Sequence, residues 1–371
     1  MSERYIGLMS GTSLDGIDAV LIEANGDRLR VESALCHPWP ADTARELHAL
    51  CTPGEQEIDR MGVADNLVAR EFAAATQALL TKAGLSPADI RAIGSHGQTI
   101  RHRPQLGFTL QIGNAALLAA LTDIDVISDF RTADMALGGQ GAPLVPAFHQ
   151  ALFASPGAQR VVLNLGGIAN ISVLPGAADG AGVYGFDTGP ANTLLDGWYR
   201  RHHPQGGDYD AGGQWGASGT LLPTLLAQLL SHPYFAAPWP KSTGREMFTL
   251  EWLDGTLAGQ NHAPADVQRT LQALTSHSVA HQLPALDKAH GQAELFVCGG
   301  GAHNDPLLAE LAALLPQWRI ASTTTLGLAP DWVEGAAFAW LAKRFIHREP
   351  GNLPAVTGAS RPTVLGALYP A

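Results

Sequence analysis

Two segments of this chain repeat one pattern, and that repeat constrains the fold more than any other feature. Tyr5–Glu23 reads YIGLMSGTSLDGIDAVLIE, and Arg160–Pro175 reads RVVLNLGGIANISVLP. Each is an apolar strand, a Gly-bearing polar turn and a second apolar strand, the signature of a hairpin. Glycine lets such a turn adopt positive φ and lets a phosphate approach the backbone. Two readings fit the pair: duplicated domains, each opened by one hairpin, or two unrelated hairpins in one α/β protein.

The rest of the chain alternates strands and helices. Ile58–Leu80 carries apolar residues at helical spacing and stops at Gly84. Strands are expected from Ile90 and Asp125, helices over Asn114–Leu121 and Pro190–Arg201, and further helices over Leu221–Leu230 and Asp266–Leu283. Glu294 opens a strand that runs into a Gly loop, followed by a helix from Pro306, a strand from Arg319 and a helix over Trp332–His347. This alternation predicts parallel-sheet α/β domains. At 371 residues the chain is long enough for two cores. We expect a first domain of 1–140 plus a returning segment 345–371, and a second of 141–344.

Composition excludes several classes. A formal charge of -11 argues against a nucleic-acid surface, which needs clustered Lys and Arg. Three cysteines, Cys36, Cys51 and Cys298, lack metal-ligand spacing and read as reduced thiols. The uncharged stretches are broken by Gly, Pro, Gln and His, which makes them poor membrane spans, and no signal peptide is expected. A cytoplasmic location follows as the expectation. GxxxxGK[ST], HExxH and GxSxG are absent, and no GxGxxG follows a strand.

Several polar segments can carry chemistry. The loop Gly11, Thr12, Ser13, Leu14, Asp15, Gly16, Ile17 and Asp18 offers amides and hydroxyls to phosphate oxygens, and Asp15 could hold Mg2+ through water. As a bland alternative it is a polar β-turn. Asp187 precedes an expected helix, where it is either a cap or a carboxylate free to act as a base. His96, Gln98, Asp129, Arg131 and Glu334 stand at expected strand ends or helix starts, where ligands of α/β proteins collect. Gly299, Gly300, Gly301 and Asn304 form either a platform beside a nucleoside or a tight strand-to-helix turn.

Taken together, MSGTSLDGID, SHGQT, SDFR, NLGGIANIS, GFDTGPAN, CGGGAHN and EGAAFAWLA resemble the anhydro-N-acetylmuramic acid kinase family, in family order from residue 7 to about 341. The resemblance implies a two-domain actin-like, ribonuclease-H-related fold with ATP in a cleft between the domains. It implies that ATP and water act on 1,6-anhydro-N-acetylmuramic acid to give N-acetylmuramic acid 6-phosphate and ADP, in cell-wall recycling. It further implies a cytoplasmic, Mg2+-dependent homodimer without nucleic-acid or membrane partners. Carried onto this chain, Asp187 is the base that deprotonates water, and Gly11–Asp18 cradles the β- and γ-phosphates. Gly166 and Gly167 face the phosphates, and Gly299–Gly301 with Asn304 back the adenosine. Arg131 takes the lactyl carboxylate, while His96, Gln98 and Glu334 take the sugar's polar groups. No residue is assigned as a direct metal ligand. Two departures stand out: Ala191 and Gly335 occupy positions where the family usually has Gly and Ala. A conventional hexose kinase of the same superfamily and a non-catalytic actin-like protein are the rival readings.

Overall fold

The computed structural model describes residues 2–11, 13–176, 182–239, 241–244, 247–283 and 293–371. The chain divides into two compact units, Met1–Leu152 with Trp332–Ala371, and Phe153–Asp331. Each is described by itself.

Strands are numbered along the chain. In the first unit, β1 (Glu3–Ser10), β2 (Ile17–Asn25) and β3 (Arg28–His37) form an antiparallel meander. β4 (Ala92–Arg103) lies parallel to β1, and β6 (Val126–Ser128) parallel to β4. β5 (Phe108–Ile112) and β12 (Ala367–Tyr369) add antiparallel strands to β4 and β6.

Alternation along β1 and β2 decides what each face buries. Ile6, Leu8, Ile17, Ala19 and Leu21 share a core with Val68, Phe72 and Leu79 of the helix Glu57–Ala83. That helix ends on Gly84 in the left-handed conformation (φ 68°). The opposite face seats the helix Val333–Ile346. A Cβ on Gly7 would overlap the backbone of Gly335 and Ala339, and one on Gly94 the carbonyl of Phe338. Two strands thus admit the helix backbone directly, which a larger residue would prevent.

These contacts correct the expected domain limits. The divisions fall at 152/153 and 331/332 rather than near 140 and 344. The last helix belongs to the first unit because Gly7 and Gly94 give it a seat there.

In the second unit, β7 (Gln159–Leu165), β8 (Ile168–Leu174) and β9 (Tyr184–Pro190) form the meander. β10 (Ala293–Cys298) lies parallel to β7, and β11 (Trp318–Ser322) parallel to β10. Val161, Leu163, Leu165, Leu295 and Val297 pack with Val267, Leu271 and Leu274 of the helix Pro264–Ala280.

The two sheets therefore share one strand order. β3-β2-β1-β4-β6 corresponds to β9-β8-β7-β10-β11, with β5 and β12 as additions to the first. A three-stranded meander followed by two parallel strands beside its first strand is the ribonuclease-H-like arrangement. Both hairpins of the sequence repeat open such a sheet. Among the described residues, no helix is long and apolar enough to cross a membrane.

Candidate active site

In the first unit, β1 and β4 run side by side, with Leu8 opposite Ser95 and Ser10 opposite Gln98, and a register shift between. The turn after β1 closes through Leu14 N–H donating to the Gly11 carbonyl (3.2 Å). Leu14 has φ 59°, Asp15 is exposed, and Asp18 already belongs to β2. Gly16 packs on the Cys36 thiol, which leaves no room for a Cβ. Thr12 lies outside the described residues. Gln98 Nε2 donates to the Gly11 carbonyl (3.3 Å), tying the buried β4 side chain to this loop.

His96 and Gln98 were expected at a strand end, but they lie inside β4. Gly97, at φ 74°, lets the chain continue as strand past that point. His96 is buried, and its ring stacks at a tilt on Phe338, 4.7 Å away. Arg131 donates to the Gly141 carbonyl (2.8 Å) and meets His96 Nε2 at 2.9 Å. A guanidinium only donates, so His96 Nε2 accepts and the imidazole is neutral. Burial and the Arg131 charge push the His96 pKa well below the usual histidine value. Burial also lowers Arg131 to about 10, against the opposing pull of Glu334 and Asp134. Glu334 stands in the first turn of the Val333–Ile346 helix. Asp129, at φ 58°, follows β6, and Arg131 follows it at the head of the helix Thr132–Ala136.

Ser95 Oγ, His96 Nδ1, Gln98 Oε1 and Arg131 Nε are buried without a hydrogen-bond partner. Buried polar atoms are normally paired, so four such atoms on neighbouring segments make this a candidate place for a polar ligand. Ser95 was not among the expected site residues. Its place inside the SHGQT motif was the only signal. Each terminal nitrogen of Arg131 has one contact within the protein, which leaves one N–H on each, together with Nε–H, for a ligand.

In the second unit, Asp187 lies on β9 opposite Asn170 of β8. Pro190 closes this strand instead of opening a helix, and the helix runs Asn192–His202. Asp187 is therefore no helix cap. Its half-buried carboxylate accepts a 2.9 Å hydrogen bond from Thr243 N–H. Burial pushes its pKa up to about 6, and the Thr243 bond restrains the rise. A carboxylate so placed is ionised above about pH 6, with a basicity suited to proton abstraction near neutrality.

Gly166 and Gly167 form the tight turn between β7 and β8. Their carbonyls accept the N–H groups of Ala191, Asn192 and Thr193 at 3.0–3.1 Å, closing the start of the next helix. Ala191 sits there with φ -126°, outside the left-handed region, so its Cβ carries no such penalty. Gly299 (φ 77°) and Gly301 lie so close to Leu165 that a Cβ on either would crowd it. Gly300 belongs to the same 3-10 turn. Asn304 caps the helix Asp305–Leu314 by accepting from Leu307 N–H (3.1 Å). The second departure, Gly335, is tight: a Cβ there would meet Val20 Cγ2 at 2.5 Å.

Comparison with known proteins shows the family to which the chain belongs. A profile described as anhydro-N-acetylmuramic acid kinase matches residues 3–371. The chain belongs to the anhydro-N-acetylmuramic acid kinase family. The protein of that name from Shewanella loihica is 55% identical over 370 residues, 99% of this chain and 98% of its own. The one from Pseudomonas paraeruginosa is 54% identical over 369 residues, 99% of each chain. Among solved structures, component A of (R)-2-hydroxyglutaryl-CoA dehydratase from Acidaminococcus fermentans aligns with TM-score 0.44 at 10% identity, over 91% of this chain and 98% of that one. The enzyme phosphorylates 1,6-anhydro-N-acetylmuramic acid at the expense of ATP while opening the anhydro ring, a step in peptidoglycan recycling.

Proposed function

We propose that Asp187 is the base of this reaction and that the first unit supplies the phosphate loop and the sugar-binding groups. The substrate has no free 6-hydroxyl, because O6 is tied to C1. Water must therefore add to C1. The C1–O6 bond breaks as O6 forms a bond to the γ-phosphorus, and the phosphorus–oxygen bond to ADP breaks. Asp187 takes one proton from the water, and the other stays on the new 1-hydroxyl. Opposed attack and departure at C1 resemble inverting glycoside hydrolysis, with the phosphoryl group in place of the usual acid proton. The observation that carries this reading is the half-buried Asp187 carboxylate, raised to about 6 and held by a single amide.

On the phosphate side, amides of Gly11–Asp18 and the hydroxyl of Ser13 would position the β- and γ-phosphates, with Thr12 assigned by resemblance. Gly166, Gly167, Gly299–Gly301 and Asn304 are proposed for the nucleotide. His96, Gln98, Arg131 and Glu334 are proposed for the sugar, and Ser95 joins them on its unpartnered hydroxyl. Among the described residues no three His, Cys, Asp or Glu side chains cluster as a metal cage. That suits Mg2+, which binds through one or two carboxylates, waters and substrate phosphates. Asp15, exposed beside the loop, offers oxygen of the required kind. When bound, the ion would neutralise phosphate charge. Water labelled with 18O tests the reaction course. The label belongs on C1 of the sugar product, and label on phosphate would mean plain ATP hydrolysis.

We also propose a cytoplasmic homodimer. Three cysteines without metal-ligand spacing suit a reducing compartment, and Ile58 and Val63 lie exposed on the helix Glu57–Ala83. Sedimentation velocity distinguishes a dimer from a monomer.

A further inference from the structure

β9 is an edge strand of the second sheet, and the edge at Asp187 is covered by a short strap, residues 241–243. The strap and the helical turn before it hold Asp187 at three atoms. Asp187 N–H donates to the Lys241 carbonyl (3.3 Å), Thr243 N–H donates to Asp187 Oδ2 (2.9 Å), and the Tyr234 hydroxyl donates to the Asp187 carbonyl (2.6 Å). The Lys241 side chain ties the strap to the helical turn. Lys241 Nζ donates to the Tyr234 carbonyl (3.0 Å) and lies 4.7 Å from the Tyr234 ring centre and 6.0 Å from that of Phe186. An ammonium over aromatic faces in a half-buried setting is attracted by their quadrupoles. Phe186 precedes Asp187 on β9, so Lys241 ties the strap to the base's own strand as well as to the turn Pro233–Ala236.

We propose that Lys241 is a positioning residue, which pins the 241–243 strap across β9 and thereby fixes the direction of the Asp187 carboxylate and shields it from water. The inference rests on Asp187 being the base. Tyr234, from the helical turn, is the titratable side chain whose electrostatics couple to Asp187, while Lys241 and Thr243 of the strap meet Asp187 through backbone groups. Asn170 faces it from β8. The strap acts on Asp187 in two opposed ways. Burial, to which the proposed cover contributes, raises the carboxyl pKa, and the strap's Thr243 amide lowers it, with burial the larger effect. Releasing the strap removes both effects, so the net change follows burial and is downward.

The experiment is the pH profile of kcat/KM for Lys241→Met, Lys241→Arg and Asp187→Asn, with ATP and the anhydro sugar. Lys241→Met should move the acid limb down from about 6 by about one pH unit. Its kcat should fall at least about tenfold, because the base is no longer aimed. KM for ATP should be unchanged. Lys241→Arg, which keeps a cation over the rings, should restore the limb and most of kcat. A folded Lys241→Met enzyme with the wild-type limb and kcat overturns the proposal, as does Lys241→Arg behaving like Lys241→Met. If Lys241→Met does not fold, Lys241→Gln, which removes the ammonium over the Tyr234 and Phe186 rings but keeps a polar side chain, should lower kcat and move the limb the same way. An unchanged kcat there overturns the proposal equally. Normal turnover by Asp187→Asn would instead remove the base reading. An inactive Asp187→Asn beside a wild-type-like Lys241→Met would sink the strap alone.

Discussion

The β1–β2 and β7–β8 hairpins occupy the same place in their sheets, yet their turns differ in length and in what their backbone groups do. The first turn runs from Gly11 to Gly16 and, among the described residues, exposes Ser13 and Asp15. The second is Gly166–Gly167 alone, and its carbonyls are taken by the N–H groups of residues 191–193. A duplicated topology has thus been spent in two ways. The long turn leaves Ser13 and Asp15 exposed, and the short one closes the start of a helix. The proposed proton-abstracting role falls not to the second turn but to Asp187, on the strand that follows its hairpin.

Four substitutions would break or sharpen this contrast. The largest effect belongs to Asp187→Asn, which should lose at least about 10²-fold in turnover while still binding ATP, measured by product formation and calorimetry. Near-normal turnover would remove Asp187 from its role. Next, Gly7→Ala drives a Cβ into the Gly335 and Ala339 backbone beneath the first hairpin. It should cost about 1–3 kcal/mol in denaturant unfolding. Asp15→Ala alters only an exposed group of the long turn. It should raise KM for Mg2+-ATP about fivefold, the worth of one ordinary hydrogen bond, with no change in Tm. The smallest effect is expected of Asn192→Ala, which deletes the 3.1 Å bond from Asn192 Nδ2 to the Leu165 carbonyl beside the short turn. It should lower stability by about 1 kcal/mol and leave KM for ATP alone. If Asp15→Ala lowered Tm and Asn192→Ala raised KM, the division of labour between the turns would be reversed.

The two hairpins and strands β4, β6, β10 and β11 were legible in the sequence because alternation and Gly-bearing turns are local signals, whereas β3, β5 and β12 were not expected. The helices over 57–83, 223–230, 264–280 and 333–346 were legible for the same reason. The unit boundaries were not. Where the last helix belongs depends on Gly7 and Gly94 admitting its backbone, contacts more than 200 residues apart in sequence. His96 and Gln98 fell inside a strand because Gly97 carries β4 past the expected end. Pro190 ended a strand because the two-residue turn beside it captures the next three amides. Asp187, Arg131 and the phosphate loop stood out by residue type within their motifs. The 241–243 strap did not, since it acts on Asp187 through backbone groups that any sequence provides.

The account turns on one carboxyl group being held less acidic than an ordinary aspartate. Carbon-13 NMR titration of the side-chain carboxyls, assigned by comparison with Asp187→Asn, reads it directly. The Asp187 signal should titrate near 6. A midpoint near the unperturbed aspartate value of about 3.9 would contradict it.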